Sequence, residues 1–236
     1  MSAARLFLGP DAGPIDVTQA FGSIWVANIH ANDVRRYDPA TMRELARIPV
    51  PGAAWFGEAD GALWVTGQTA TGLSRIDPAT NTVVAHVGDV PPCGAPIVWS
   101  GTIWQAACDG GVVLRIDPTR SAIVDSIPLE NHIFLVLADD RLITVGSAGL
   151  ARLDPQTRGY APIGNPAAAF PEFMASDGQS VWVKTSAGVL RIDPSDGRTV
   201  ASIAAPEARA ISFAGDHAWL SVRRKGVVAI DLATGR

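Results

Sequence analysis

Gly61-Ala62-Leu63-Trp64-Val65-Thr66, followed by Arg75-Ile76-Asp77-Pro78-Ala79-Thr80-Asn81-Thr82-Val83-Val84-Ala85, holds the architecture of the chain in miniature. Short apolar and β-branched runs alternate with Gly, Asp, Asn and Pro, the chemistry of strands joined by tight turns. Strands are expected in this unit over 54–58, 63–66, 73–77 and 82–87, parted by Asp60-Gly61, Thr71-Gly72 and the Pro78-to-Asn81 turn. In Asp-Pro-x-Thr the proline presets φ and the aspartate can accept a hydrogen bond from a backbone N–H two residues on, so the element reads as a hairpin turn.

Working outward, both features recur. Asp-Pro appears at Asp38, Asp77, Asp117, Asp154 and Asp193, with Asp231-Leu232 as a degenerate sixth copy, at spacings of 39, 40, 37, 39 and 38 residues. A second marker, Trp25, Trp64, Trp104, Ile143, Trp182 and Trp219, keeps step at 39, 40, 39, 39 and 37. Two markers sharing one period of about 40 residues announce a propeller. The expectation is an all-β, six-bladed β-propeller of four-stranded antiparallel blades, one domain over 1–236, with repeats near 14–50, 53–89, 95–128, 132–164, 172–204 and 208–236. The last repeat stops after three strands and residues 4–9 precede the first. The N-terminal strand 4–9 is therefore expected to complete the sixth blade, closing the ring and removing sheet edges. The Trp ladder, including Trp219, is expected in the core between sheets, and Arg75, Arg115, Arg152 and Arg191 as solvated or inter-blade pairing residues.

Of the 236 residues 47% are hydrophobic and 18% charged, enough to bury a core. A net charge of −4, with Arg223-Arg224-Lys225 as the compact cationic cluster, argues against nucleic acid as a partner. Neither a signal peptide nor an eighteen-residue apolar run is seen, so a soluble, cytoplasmic monomer without membrane contact is expected, with a mature secreted form left open.

The phrases Gly22-Ser23-Ile24-Trp25-Val26-Ala27-Asn28 and Gly61-to-Thr66, with the Arg75-to-Ala85 stretch, resemble the repeats of YVTN-type propellers and of the streptogramin (virginiamycin B) lyase-like superfamily. The resemblance runs over essentially the whole chain. It implies the propeller fold and, for the seven-bladed lyase, elimination in a cyclic depsipeptide, with a divalent metal, histidine and glutamate where the innermost strands begin. Glu130-Asn131-His132 resembles that family's Glu-x-His, whereas the neighbouring blades offer Pro96 and Glu172 where the family has a further histidine. A divalent cation such as Mg²⁺ is the cofactor the resemblance implies; its ligand set is incomplete here.

In a propeller the starts of the first strands rim the channel mouth, the main concavity of the fold. Aligned on the Trp marker, Asp11, Asp16, Trp55, Glu58, Cys93, Trp99, Glu130, His132, Glu172, Glu207 and Arg209 fall at or near this rim. His132, Glu172 and Arg209, from three consecutive blades, form the expected catalytic trio: an imidazole and a carboxylate for proton transfer beside a carbonyl, and a guanidinium for the resulting anion. The plain structural alternative is that Glu172 pairs with Arg209 and His132 with a loop carbonyl. Trp55, Glu58, Trp99, Glu130 and His30 are the expected substrate contacts, the plainer reading of His30 being a solvated loop residue, whereas His86 and His217 read as bystanders. If Ser100-Gly101 is a tight turn, Cys93 and Cys108 face each other, either as a disulfide or as two neighbouring thiols. The functional expectation is a lyase- or hydrolase-type small-molecule site. The alternatives are a non-catalytic propeller binding a ligand or protein on its loop face and a purely structural module. No nucleophile elbow, phosphate loop or nucleotide fingerprint is present.

Overall fold

The computed structural model describes residues 8–68, 71–107, 109–129, 132–169, 171–223 and 226–234, at 132 and 133 the backbone alone. The chain divides into two compact units, Met1–Glu130 and Asn131–Arg236. The first unit holds three four-stranded sheets. Blade one comprises Pro14–Ala20, Ser23–Asn28, Asp33–Tyr37 and Glu44–Pro49; blade two Ala53–Ala59, Ala62–Gly67, Leu73–Asp77 and Thr82–Val87; blade three Ile97–Trp99, Thr102–Ala107, Val112–Asp117 and Ala122–Pro128. In the second unit blade four comprises His132–Ala138, Arg141–Gly146, Gly149–Asp154 and Gly159–Gly164, and blade five Phe173–Ser176, Val181–Thr185, Gly188–Ile192 and Thr199–Ile203. Blade six shows Ala208–Ala214, His217–Val222 and Gly226–Asp231. Every blade is an antiparallel meander, and the fold is a six-bladed β-propeller. Its expected closing strand, 4–9, lies outside the described residues except for Leu8 and Gly9, which are in irregular backbone. Among the described residues the helical content is a single 3-10 turn, Pro166–Ala168, and no helix is long and apolar enough to cross a membrane.

Period-2 alternation gives each sheet two apolar faces, and within each unit adjacent blades bury them against each other. Trp25 of blade one joins Leu63, Val65 and Ile76 of blade two, and Trp64 of blade two joins Ile103 and Ile116 of blade three. In the second unit Ile143 joins Val181, Val183 and Ile192, while Trp182 joins Ala218, Leu220 and Ile230. Each buried indole removes roughly 200 Å² from water, about 4–5 kcal/mol of transfer free energy.

An arginine stands opposite the marker on the third strand of the first five blades: Trp25–Arg36, Trp64–Arg75, Trp104–Arg115, Ile143–Arg152 and Trp182–Arg191. Where the marker is tryptophan, the guanidinium lies over the ring at 4.8, 5.8, 5.5 and 5.4 Å. From there Arg36 donates to Pro78 O (2.6 Å) and Asn81 Oδ1 (2.8 Å), Arg75 donates to Ser121 Oγ (3.1 Å), and Arg191 donates to the carbonyl of Leu232. Each of these acceptors belongs to a turn of the following blade. Trp219 departs from the expected ladder: it faces Ala229 instead of an arginine and is 40% exposed.

All six Asp turns form the expected bond, from the N–H two residues on to Asp38, Asp77, Asp117, Asp154, Asp193 and Asp231.

Candidate functional site

Four first strands begin with a register shift, leaving Ile15, Ala54, Phe134 and Arg209 as the extra residue opposite the second strand. Such a bulge re-aims side chains at the end of a sheet. Arg209 sits in the bulge of blade six and is exposed, and no hydrogen bond or ion pair joins it to another described residue. His132 opens the first strand of blade four, paired with Gly146. Glu172 directly precedes the first strand of blade five, its N–H donating to Lys184 O (2.9 Å) as a continuation of the ladder. The first strands of blades four and five pack together, as do those of five and six. The fold therefore sets the three expected strand starts in sequence along one unit.

Glu172 does not pair with Arg209. Its Oε1 accepts a hydrogen bond from Lys184 Nζ at 3.0 Å, and the same ammonium donates to Thr185 O at 2.5 Å. The Lys184 side chain is 0% exposed and that of Glu172 50%, so a fully buried cation stands behind a carboxylate that reaches solvent. Lys184 was not foreseen. Its signal was a lysine in the apolar run Val181-Trp182-Val183-Lys184, two residues past the marker, where the other blades carry Ala27, Thr66, Ala106, Val145 and Ser221.

In the first unit, Trp55 is half-buried near the start of its strand, opposite Thr66, whereas exposed Glu58 lies at the far end, opposite Leu63. Trp99 likewise ends its strand, against the Ser100-Gly101 turn and 6.3 Å from the Trp104 ring. The expectation that Glu58 and Trp99 rim the strand starts is thus corrected. A strand advances about 3.3 Å per residue, so three or four residues carry a side chain to the opposite end. Asp11 is exposed, whereas half-buried Asp16 accepts hydrogen bonds from Phe56 N–H (3.1 Å) and Val17 N–H (2.8 Å). Burial raises its pKa above the usual carboxylate value, against those two bonds. His30 is exposed on the turn after the second strand of blade one and packs over Gly13, where a Cβ would stand 2.5 Å from its Nδ1. Cys93 is disulfide-bonded and its N–H donates to Ala106 O (2.9 Å), while Cys108, its expected partner, lies outside the described residues. Glu130 lies outside them too. Glu207 is exposed, its carbonyl accepting from Arg223 N–H at 2.9 Å.

The divalent cation implied by the resemblance does not fit the described residues. No three His, Cys, Asp or Glu side chains among them converge, and Glu172 is already engaged by an ammonium, which competes with a metal for the same oxygen. No step is derived through a metal.

The architecture defines the class, a six-bladed propeller with charged side chains at the strand starts of its second unit. Neither a protein-family model nor a curated protein matches the chain. Solved structures do. The chain is similar to the extracellular domain of a one component system from B. thetaiotaomicron (TM-score 0.74, 15% identity), over 94% of this chain and 34% of that one. It thus spans about a third of that domain's length. It is similar also to streptogramin B lyase (TM-score 0.70, 18% identity, 96% of this chain and 85% of that one). A catalytically inactive virginiamycin B lyase from Staphylococcus aureus, solved with quinupristin, gives TM-score 0.70 and 17% identity over 97% of this chain and 87% of that one. At these identities the likeness is one of fold.

Proposed function

We propose that the chain is a small-molecule-binding propeller whose ligand meets the strand starts of blades four to six, touching His132, Glu172 and Arg209. The observation that carries this reading is the Lys184–Glu172 pair. A buried ammonium costs several kcal/mol of desolvation that an apolar side chain in the same slot avoids, so the pair is poor value as a stabilising device. It does fix a carboxylate at the solvent edge of a strand start. In the lyase-type version, Glu172 or His132 takes the proton beside a carbonyl, Arg209 holds the enolate that forms, and its electron pair expels the ester oxygen on the next carbon as a carboxylate, opening the ring; in the hydrolase-type version the same base takes the proton of a water attacking the carbonyl, and Arg209 holds the oxyanion until the alcohol oxygen leaves.

A second reading, a binding propeller without catalysis, is favoured by the likeness to the extracellular domain of a one component system. Incubation with quinupristin and a panel of simple lactones, followed by mass spectrometry and thermal unfolding, separates the two. Ring opening by the wild type, lost in Glu172→Gln and His132→Ala, supports catalysis. Stabilisation without turnover, lost in Arg209→Ala, supports binding alone. Neither effect with any member of the panel sinks the carbonyl-ligand reading.

A further inference from the structure

We propose that a second site, in a cleft at the opposite end of blade four, binds the oxyanion of a small molecule through Arg141 and Arg152. The cleft is about 200 Å³, with Arg141 and Arg152 on one side, Pro162 and Ile163 of the outer strand along it, and Pro194 and Ser195 of the next blade's turn beyond. His132 opens the first strand of this blade, whereas Arg141 follows the turn that ends it, so the cleft and the proposed carbonyl-ligand site lie a strand's length apart.

The cleft lies where blade four breaks the arginine pattern. Arg36, Arg75 and Arg191 each lie over an indole and bond to the following blade. Arg152 faces Ile143 instead, with no ring to bed its guanidinium. It is exposed, and no hydrogen bond or ion pair joins it to a described residue. Arg141 is bonded to Asp139 through Nη1. Its Nε and Nη2 make no hydrogen bond to a described residue. The neighbouring acids are already engaged: Asp139 by Arg141, Asp154 Oδ1, in electrostatic reach of Arg152, by the Gln156 N–H (2.8 Å), and Asp193 Oδ1 by the N–H (2.9 Å) and hydroxyl (2.6 Å) of Ser195. Ser195 spends its proton on Asp193, so the donors left to a ligand are the two guanidiniums, whose planar forks match a phosphate or carboxylate group.

Thermal unfolding of the full chain at constant ionic strength, with chloride exchanged for inorganic phosphate or for acetate, tests this. At 10 mM and a dissociation constant of about 1 mM, the preferred anion raises Tm by about 2–4 °C. Arg152→Ala keeps the wild-type Tm in chloride and loses the rise. Should that variant fail to fold, Arg152→Lys, which keeps the charge without the fork, loses most of it. A response to phosphate alone assigns a phosphoester, one to acetate alone a carboxylate, and equal responses a general oxyanion site. No response to either anion, or an equal response in wild type and Arg152 variants, overturns the proposal.

Discussion

In blade two the indole of Trp64 is fully buried beneath Arg75, which reaches both Asp60 Oδ2 (2.8 Å) of its own blade and Ser121 of the next. In blade four the same two positions hold Ile143 and Arg152, equally paired across the strands; the isoleucine is fully buried and the arginine stands free of hydrogen bonds to described residues. Strand count, antiparallel order and turn are shared. The difference teaches that the repeat has two separable layers. One is a backbone and turn framework present in every copy. The other is an aromatic and cationic latch that a blade can lack while its interface still closes on aliphatic packing.

The largest expected effect is on the latch's core. Trp64→Ala should cost about 4 kcal/mol and Ile143→Ala about 3 kcal/mol, read from urea unfolding midpoints. Equal costs would mean that the larger indole contributes no more to its interface than the isoleucine does. Next comes the buried cation, with an asymmetry between its partners. Glu172→Ala leaves Lys184 uncompensated and should cost about 2 kcal/mol, below the fully buried case because Glu172 is half exposed, whereas Lys184→Met should fall within about 1 kcal/mol of wild type. The reverse order would remove the argument that the pair is kept for function. Smaller again, Arg75→Ala should cost about 1–1.5 kcal/mol through its ring contact and charge-assisted bonds, and Arg152→Ala no more than about 0.5 kcal/mol.

The smallest contrast is one that should vanish. Backbone N–H bonds hold the Asp77 and Asp154 carboxyls below the usual carboxylate value. A folded pKa below the unfolded one, near 3.9, gives stability that is present above that pH and lost as pH falls through the folded value. Unfolding midpoints followed from pH 5 to pH 2.5 should therefore lose part of their acid dependence in Asp77→Asn and in Asp154→Asn to the same small extent. A difference between the two would show that the turns are not equivalent.

What was legible in the sequence was whatever repeats. The Asp turns and the Trp–Arg register recur often enough for period alone to place them, and the strands of blade two came out within a residue or two. Side chains that occur once were harder. Lys184 hid inside a hydrophobic run because burial of a lysine is decided by a partner, here Glu172, twelve residues upstream. Glu58 and Trp99 were displaced because position along an extended strand, unlike face, cannot be read from alternation. Trp219 shared the marker position yet lacked the arginine, replaced by Ala229, that accompanies the buried indoles of the other blades.

The reach of Arg36 to Pro78 and Asn81, 42 and 45 residues further along, has a consequence for synthesis. Blades one, two and five are not finished when they leave the ribosome, since the acceptors for their guanidiniums and the cover for their indoles arrive with the blade translated next. At each of those three steps the nascent chain carries an uncovered aromatic face forward. Blade four, with isoleucine in place of tryptophan, is the step at which that face is aliphatic.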